Sequence, residues 1–428
     1  MLAFAYTNDR CSPLRTTRVL AGAHVAVGEG EDTRDRTAAH HIAARRRPDA
    51  NIGGINVSGK QIIALVAASL ALVACGGSSA GEPAESVPVE GAEQEDAGQA
   101  LAGVDLDEIK RYALANAVQM KAGTEELAAA ADAYYVLVEA HGFDYDAAWE
   151  AEGEALAGLV EDARRAWVDA SLYYELDEGV VAGVPELADY DTWIDAGPPA
   201  SETPDEAFEW TLELPDGRSL ESPGNLFHSL LEPALYGTNP EFVGAEVDFD
   251  GDGEVVFTEV LPEANILKGS ADALDGATAE MTAAIEAWEP NLDDTFTALV
   301  VMTPTMNEYF EQWKLSAFVA GEDYEEEAFV GLSRLFDITN ILNGLNLAYD
   351  TVSPLVVEAD PDLDAQIQSG YDDLTGYVDE LYAREQSGAA FSAEEADLLG
   401  TGAQDKAEAL SALVAQAASE LDVGLALE

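Results

Sequence analysis

Apolar residues recur at helical spacing over most of the chain beyond residue 105, and this period predicts an all-α protein. Gly142 lies between the first two predicted helices and suits the end of a helix. Ser392 is placed as the N-cap of the last predicted helix, with Glu395 three residues later. The predicted helices are residues 106–139, 146–174, 225–236, 263–287, 292–319, 324–347, 362–385 and 392–421.

Irregular stretches interrupt this pattern and divide the chain. Residues 184–223 are punctuated by Pro, Gly, Asp and Trp, with one short predicted strand at 208–214. Pro233 lies inside a predicted helix and should kink or end it. We therefore expect two consecutive helical bundles, at 104–237 and 263–428, joined by an irregular connection at 238–262.

The segment before the helices has the features of an export signal. Lys60 is a short basic start, an apolar run extends to Leu70, and small residues precede Cys75. This run is too short to span a bilayer, so we interpret residues 57–74 as a signal peptide. The ending Leu-Val-Ala-Cys is similar to a bacterial lipoprotein signal, which implies that Cys75 is lipidated and anchors the chain to a membrane. The alternative is an ordinary secreted protein with an unmodified cysteine.

The residues on either side of this signal have different compositions. Residues 1–56 are rich in Arg and show no sustained period. Because a signal peptide should begin near its basic residue, we expect a native start near Val57 and a non-native extension before it. Residues 75–103 are rich in Gly, Ser, Pro, Glu and Ala, which predicts a flexible tether between the anchor and the bundles.

The chain is strongly acidic, with 20 Lys and Arg residues against 83 Asp and Glu residues and a net charge of -63. Such a surface repels nucleic acid and anionic lipid, so we exclude nucleic-acid binding. Adaptation to a salty habitat, where dense acidic surfaces keep proteins hydrated, explains most of this charge. Once the leader is removed, Cys75 is the only cysteine left, so no disulfide framework or cysteine-based metal site is expected.

His228 and Glu232 form the first candidate metal-ligating pair. His228 is one of only two histidines left after removal of the leader, and Glu232 follows four residues later on the same predicted helix. Side chains four apart share a helical face, so both can reach one ion. Imidazole with carboxylate suits Zn, Fe, Mn or Cu better than Mg. The alternative interpretation is a hydrogen-bonded surface pair without a metal.

Residues 248–259 match the twelve-residue calcium loop of EF-hands. Gly253 occupies the sixth position, where the chain must turn sharply. Several carboxylates crowded into one loop repel each other unless a hard cation lies among them. We therefore predict a lone structural Ca2+ site in the connection between the bundles, not a paired sensor. Its predicted ligands are the side chains of Asp248, Asp250, Asp252 and Glu259 and the backbone carbonyl of Glu254.

With the signal and the helices in place, the chain resembles the imelysin-like family, which includes the EfeO-type periplasmic iron-uptake proteins. The similar segments hold an acidic pair three apart after a Tyr, an Asp-rich turn ending in Ile-Asp, and an aromatic-His helix ending in aromatic-Gly. In the family the Glu comes three residues after the His, whereas here Leu231 stands at that position and the Glu comes four after. The segments run from Ala163 to Glu178, from Leu187 to Asp195 and from Phe227 to Gly237.

The resemblance implies a single metal site that gathers side chains from all three segments. The bound ion would be Fe or another divalent transition metal, and an iron permease or another envelope partner would receive it. The residues that the resemblance assigns to this site are His228, Glu232, Asp195, Glu175 and Glu178.

We therefore expect a lipid-anchored protein of the bacterial cell envelope that binds a metal ion in iron acquisition. The alternative is a calcium-dependent polysaccharide-binding or adhesion module, because the acidic loop at 248–259 and the lack of basic patches suit such a module as well as they suit a scaffolding role. A metallopeptidase is less expected, since the sequence has no His-Glu-x-x-His motif and too few histidines for a zinc site of the usual kind. No enzymatic activity is predicted.

Overall fold

The computed structural model describes residues 103–427 apart from 206, 250, 257, 322, 323 and 325–327. The expectations that lie outside these residues are the extension at 1–56, the signal peptide at 57–74, the lipidated Cys75 with its tether, and the calcium ligand Asp250. Within the described ranges, no helix has both the length and the apolarity needed to cross a membrane.

Long helices dominate the described chain, and the predicted all-α fold class is confirmed. Gly142 follows the first helix with a positive φ of 66°, as expected for the residue that ends it. Asp144 then caps the second helix, because its Oδ1 accepts the backbone N–H of Ala147 at 3.1 Å. The helices are α1 Asp107–Ala140, α2 Tyr145–Val181, α3 Ala188–Asp191, α4 Glu232–Tyr236, α5 Ala264–Ala287, α6 Leu292–Met302, α7 Met306–Leu315, α8 Ala317–Ala320, α9 Arg334–Ala359, α10 Pro361–Gln386 and α11 Ala393–Glu420.

The first bundle is built on α1, which packs against both α2 and α5. Two polar contacts support this arrangement: the Tyr134 hydroxyl donates to the Pro262 carbonyl at 2.8 Å, and Lys121 Nζ lies 2.7 Å from Asp275 Oδ1. Residues 264–287 therefore join the first bundle, although we expected them to open the second. The apolar face of α1 is wide enough to bury residues against both neighbours, which the linear order of the helices does not reveal.

The second bundle contains α9, α10 and α11, with α7 packed on α11, and it meets the first where α2 crosses α9. Gly344 permits this crossing, because a Cβ at that position would lie 2.4 Å from the carbonyl oxygen of Leu176. In this arrangement the charges of Asp337 and Arg334, in the first turn of α9, act on Glu175 and Glu178 of α2. The crossing thus positions the acidic pair next to the second bundle.

Short hairpins and π-helical turns occupy the breaks between the long helices. Both hairpins are antiparallel, and Leu212 lies opposite Leu220 in the first of them. The expected strand at 208–214 is present but shorter. The strands are β1 Thr211–Glu213, β2 Ser219–Glu221, β3 Val243–Glu246 and β4 Val260–Pro262, and the π turns are Thr192–Ala196 and Leu226–Leu231.

The predicted helix at 324–347 is wrong in its first part. Helix α9 begins only at Arg334, where the Ser333 hydroxyl accepts the backbone N–H of Leu335 at 3.3 Å as an N-cap. Before it, Phe329 has a positive φ of 54°, a conformation that a helix cannot contain. As described below, the backbone N–H groups of this segment bind a carboxylate and are not available to a helix.

The prolines divide or permit helices according to their position. Pro304 splits the predicted helix at 292–319 into α6, a short 3-10 turn and α7, because its own backbone is non-helical at φ -85° and ψ 22°. Pro233 does not end its helix as expected. It lies in the first turn of α4, where a missing N–H is tolerated, and the chain passes there from a π turn into the α-helix.

Candidate metal centre

Three elements bring the candidate ligands together. Helix α2 carries Glu175 and Glu178 one turn apart near its C-terminal end, the first π turn carries Asp195, and the second carries His228. Asn225 fixes the start of the second π turn, because its Oδ1 accepts the backbone N–H of His228 at 2.6 Å. Four of the five residues assigned from the resemblance therefore face one region.

His228 is held at both nitrogens of its ring. Nδ1 lies 2.8 Å from Glu232 Oε2, and Nε2 lies 3.1 Å from Asp195 Oδ1. The second contact is not aligned as a hydrogen bond, so Nε2 and both Asp195 oxygens have no hydrogen-bond partner among the described residues. Burial lowers the pKa of His228, but the charge of Asp195 and the contacts with Asp195 and Glu232 outweigh burial and raise it to about 10. A metal bound at Nε2 would displace a proton.

Glu232 faces away from this group and has both oxygens engaged. Its Oε2 accepts the backbone N–H of Phe329 at 2.9 Å, and its Oε1 accepts those of Val330 at 2.8 Å and Gly331 at 2.9 Å. The fourth contact is His228 Nδ1. Our assignment of Glu232 as a direct ligand stays a prediction, and the geometry favours instead a carboxylate that orients the imidazole, an arrangement common behind metal-bound histidines.

The π turn accounts for the unusual spacing of this pair. Hydrogen bonds in a π turn span five residues, and here the N–H of Glu232 donates to the carbonyl of Phe227. Each such hydrogen bond therefore spans one residue more than in an α-helix. His228 and Glu232 remain in contact although they are four apart and not three.

Glu175, Asp195 and His228 form a compact buried group. One ligand atom from each lies within 4.8 Å of the others, and all three side chains are buried. Neither oxygen of Glu175 accepts a hydrogen bond from the described residues. Native proteins pair buried carboxylates or use them to coordinate metals, because an unpartnered buried charge is costly. This group has the donor set of a cation site, and its buried carboxyl oxygens need either a cation or a proton.

Glu178 lies beside this group and belongs to a second one. Its ligand atom and those of Asp191 and Asp195 also lie within 4.8 Å of one another. The Tyr309 hydroxyl donates to Glu178 Oε1 at 2.8 Å, and the Tyr174 hydroxyl donates to Asp191 Oδ1 at 2.7 Å. Glu178 Oε2 has no hydrogen-bond partner among the described residues. Asp195 is common to both groups.

Burial and mutual repulsion shift the pKa values of these acids. Burial first, and then the charges of neighbouring carboxylates, raise the pKa of Glu175 well above its usual range. Burial and the charge of Asp195 raise the pKa of Glu178 to about 7. Asp195 behaves differently, because the charge and contact of His228 outweigh burial and lower its pKa. A cation in this region would lower the raised values by stabilising the charged forms.

Arg334 and Asp337, at the start of α9, complete the surroundings and were not expected from the sequence. Arg334 Nη1 lies 3.0 Å from Asp337 Oδ2, and its guanidinium stacks over the rings of Tyr309 at 4.3 Å and Phe329 at 4.5 Å. Both charged residues are buried. No local motif marks them, because only the crossing of α2 and α9 brings them near. Asp191, in contrast, lies within the Asp-rich turn that carried part of the resemblance.

The predicted calcium loop lies between β3 and β4, so strands and not helices flank it. Asp248 Oδ1 accepts the backbone N–H of Gly251 at 2.7 Å, and Oδ2 accepts that of Gly253 at 2.9 Å. Gly253 has a φ of +93°, which the sharp turn at the sixth position requires.

The remaining predicted calcium ligands differ in burial. Glu259 is buried and accepts the backbone N–H groups of Phe249 at 3.2 Å and Val256 at 2.8 Å, whereas Asp252 and Glu254 are exposed. Asp248 and Glu259 thus stabilise the conformation of the loop by accepting hydrogen bonds from its backbone N–H groups. Calcium binding here stays a prediction.

The chain is thus an all-α protein in which one imidazole lies among several buried carboxylates. Residues 113–417 match the family model for imelysin, Peptidase_M75. Since the match covers most of the chain, the protein belongs to the imelysin family. A search of curated proteins gave no match. Membership fits a protein related to periplasmic iron uptake, and members of this family are generally non-catalytic despite the peptidase name.

Proposed function

We propose that this protein is a cell-envelope lipoprotein of the EfeO type that binds iron, or another divalent transition metal, for acquisition. The observation that supports the proposal is the convergence of Glu175, Asp195 and His228 in one buried group with unpartnered oxygens. One imidazole nitrogen with carboxylate oxygens suits Fe, Mn, Zn or Cu.

The environment of His228 suits reversible metal binding. Glu232 fixes the ring through Nδ1, which leaves Nε2 directed at Asp195. A metal ion must displace the proton on Nε2 of His228 and the protons that the raised pKa values keep on Glu175 and Glu178. Metal binding therefore releases protons, and the affinity falls as the pH falls. A carrier needs this property, because its cargo must leave as well as bind.

Calorimetric titration of the purified protein with Fe2+ under anaerobic conditions, and with Zn2+ and Cu2+, tests the proposal. We expect His228→Ala to weaken the affinity by about 100-fold or more, since it removes a ligand as well as the positioning contact. His141→Ala is the matched control, because His141 lies at the C-cap of α1 and away from the group. Equal affinity in wild type and His228→Ala would remove this site from the function.

The peptidase alternative is separated by a simple assay. We propose that the protein is not an enzyme, because the sequence has no His-Glu-x-x-His motif. Casein should stay intact in the presence of the Zn2+-loaded protein. Chelator-sensitive cleavage that disappears in His228→Ala would show instead that the metal acts in catalysis.

The anchor and the partner belong to the same proposal. Cys75 would hold the protein at the membrane through a lipid, and an iron permease or another envelope protein would receive the metal. Cys75→Ser should move the protein from the membrane fraction to the soluble fraction of cells. Unchanged membrane association of this variant would count against the lipid anchor.

A further inference from the structure

We propose that a second divalent cation binds beside the first, held by Glu178, Asp191 and Asp195, with Asp195 shared between the two ions. The inference rests on the proposed metal site at His228 and extends it from one ion to a pair. It concerns the group formed by Glu178, Asp191 and Asp195, of which a single ion at His228 would engage only Asp195.

The first support is the set of unsatisfied oxygens. Glu178 and Asp195 are each 3% exposed, yet Glu178 Oε2 and Asp195 Oδ2 have no hydrogen-bond partner among the described residues, and Asp195 Oδ1 has only its ionic contact with His228 Nε2 at 3.1 Å. Glu178, Asp191 and Asp195 each place one carboxylate oxygen within 4.8 Å of the others. Buried carboxylate oxygens in this state require a cation or a proton.

The second support is that the ligands are already held in place. Tyr309 donates to Glu178 Oε1 at 2.8 Å, and Tyr174 donates to Asp191 Oδ1 at 2.7 Å. Each hydroxyl occupies one oxygen of its carboxylate. An ion that binds here meets groups whose rotamers are fixed, so little conformational entropy is lost on binding.

The third support is the charge of the whole centre. Arg334 and Asp337 form an ion pair with each other, and Glu232 is satisfied by three backbone N–H groups. Once a metal has displaced the Nε2 proton, the imidazole carries no charge. The four remaining carboxyl groups carry up to four negative charges, which two divalent ions balance, whereas a single ion leaves the other carboxyl groups to hold protons. These carboxylates are Glu175, Glu178, Asp191 and Asp195.

The two positions differ in access and in ligand type. Asp191 is only partly buried, while all three members of the His228 group are buried, so the second position lies nearer to solvent. It offers oxygen ligands alone, which suit Mn2+, Fe2+ or Mg2+ better than Cu2+. The position at His228 retains the imidazole and is the more selective for transition metals.

Mn2+ is the probe that tests this inference, since it binds both donor sets and reports on its surroundings by electron paramagnetic resonance. Native mass spectrometry of the wild type at saturating Mn2+ should give two ions per chain, and the resonance spectrum should show magnetic coupling between them. Asp191→Asn and Glu178→Gln should each give one ion and no coupling. Asp189→Asn, which alters an exposed acid in the same segment, should keep both ions.

The possible outcomes separate the two proposals. One ion in the wild type that is lost in His228→Ala overturns the second position and leaves the proposed function intact; protons shared among the carboxyl groups then replace the second cation. No ion in the wild type overturns both. Circular dichroism and thermal unfolding identify a variant that fails to fold, and the wild-type stoichiometry and coupling decide the inference without any variant.

Discussion

Replacement of Glu232 by Gln tests whether this carboxylate positions His228 or binds the metal. In the wild type it accepts four contacts, from three backbone N–H groups and His228 Nδ1. The amide retains one accepting oxygen and places an NH2 group against the other donors, so about two of the four lose their partner. A buried unpaired donor costs about 1–3 kcal/mol. We therefore expect the free energy of unfolding to fall by about 2–5 kcal/mol.

The same variant should weaken metal binding only moderately. Loss of a carboxylate behind a metal-bound histidine typically lowers affinity by about 10–100-fold, whereas loss of the ligand itself costs more. Urea unfolding with a chelator present measures the stability, and calorimetric titration measures the affinity. Glu241→Gln is the control, because this exposed side chain lies in the 3-10 turn just beyond α4.

Two results would refute the reasoning about Glu232. If Glu232→Gln unfolds at the same urea concentration as the wild type, the contacts with residues 329–331 do not stabilise the fold. If the affinity falls as far as it does in His228→Ala, Glu232 is a direct ligand and our assignment of a positioning role is wrong.

Three further predictions concern pH, calcium and helix packing. The metal-free protein should lose stability as the pH rises from about 5 to 8, because the pKa of Glu178 is raised to about 7 and that of His228 to about 10 in the folded state. The stability that a raised pKa contributes is lost as the pH rises from the unfolded to the folded pKa. The thermal midpoint in the presence of chelator should therefore fall over this range, and less steeply in Glu178→Gln, whereas a midpoint that rises would contradict the assignment. Ca2+ should raise the thermal midpoint through the loop at 248–259, and Glu259→Gln should abolish the rise; an equal rise in that variant would exclude the loop as the site. Gly344→Ala should lower the free energy of unfolding by about 1–3 kcal/mol, measured with urea, because its Cβ would lie 2.4 Å from the carbonyl oxygen of Leu176. A rise of about 1 kcal/mol, as expected at an unconstrained helical position, would show that α2 and α9 can move apart without cost.

The sequence predicts the helices well because apolar residues at helical spacing report directly on burial. The period in α1, α2, α10 and α11 leads to bounds within a few residues of those observed, except at the C-terminal end of α2, which extends to Val181. The pairing of α1 with α5 is not predictable in this way, since nothing in the period says which apolar faces meet.

The candidate centre is predictable where its residues lie in local motifs. His228, Asp195, Glu175 and Glu178 fall in the segments that resemble the imelysin family, and the fold brings them together. The contribution of residues 329–331 is not predictable, because they act through backbone N–H groups, which residues of almost any type supply. Arg334 likewise reaches the centre only through the crossing of two helices.

The assembly of the centre from distant segments has a consequence for folding. Contacts between residues close in sequence form early in folding. Contacts between distant segments form later, because other packing must first offset the entropy lost in closing the long loop between them. The contacts of Glu232 with residues 329–331 span 97 to 99 positions, and the ring centroids of His228 and Phe329 lie 4.4 Å apart. The unfolded chain therefore holds no preformed arrangement of these residues. If the proposed site binds a metal, it can do so only once the two groups of helices have packed together, so the ion would be taken up by a folded protein and would not direct its folding.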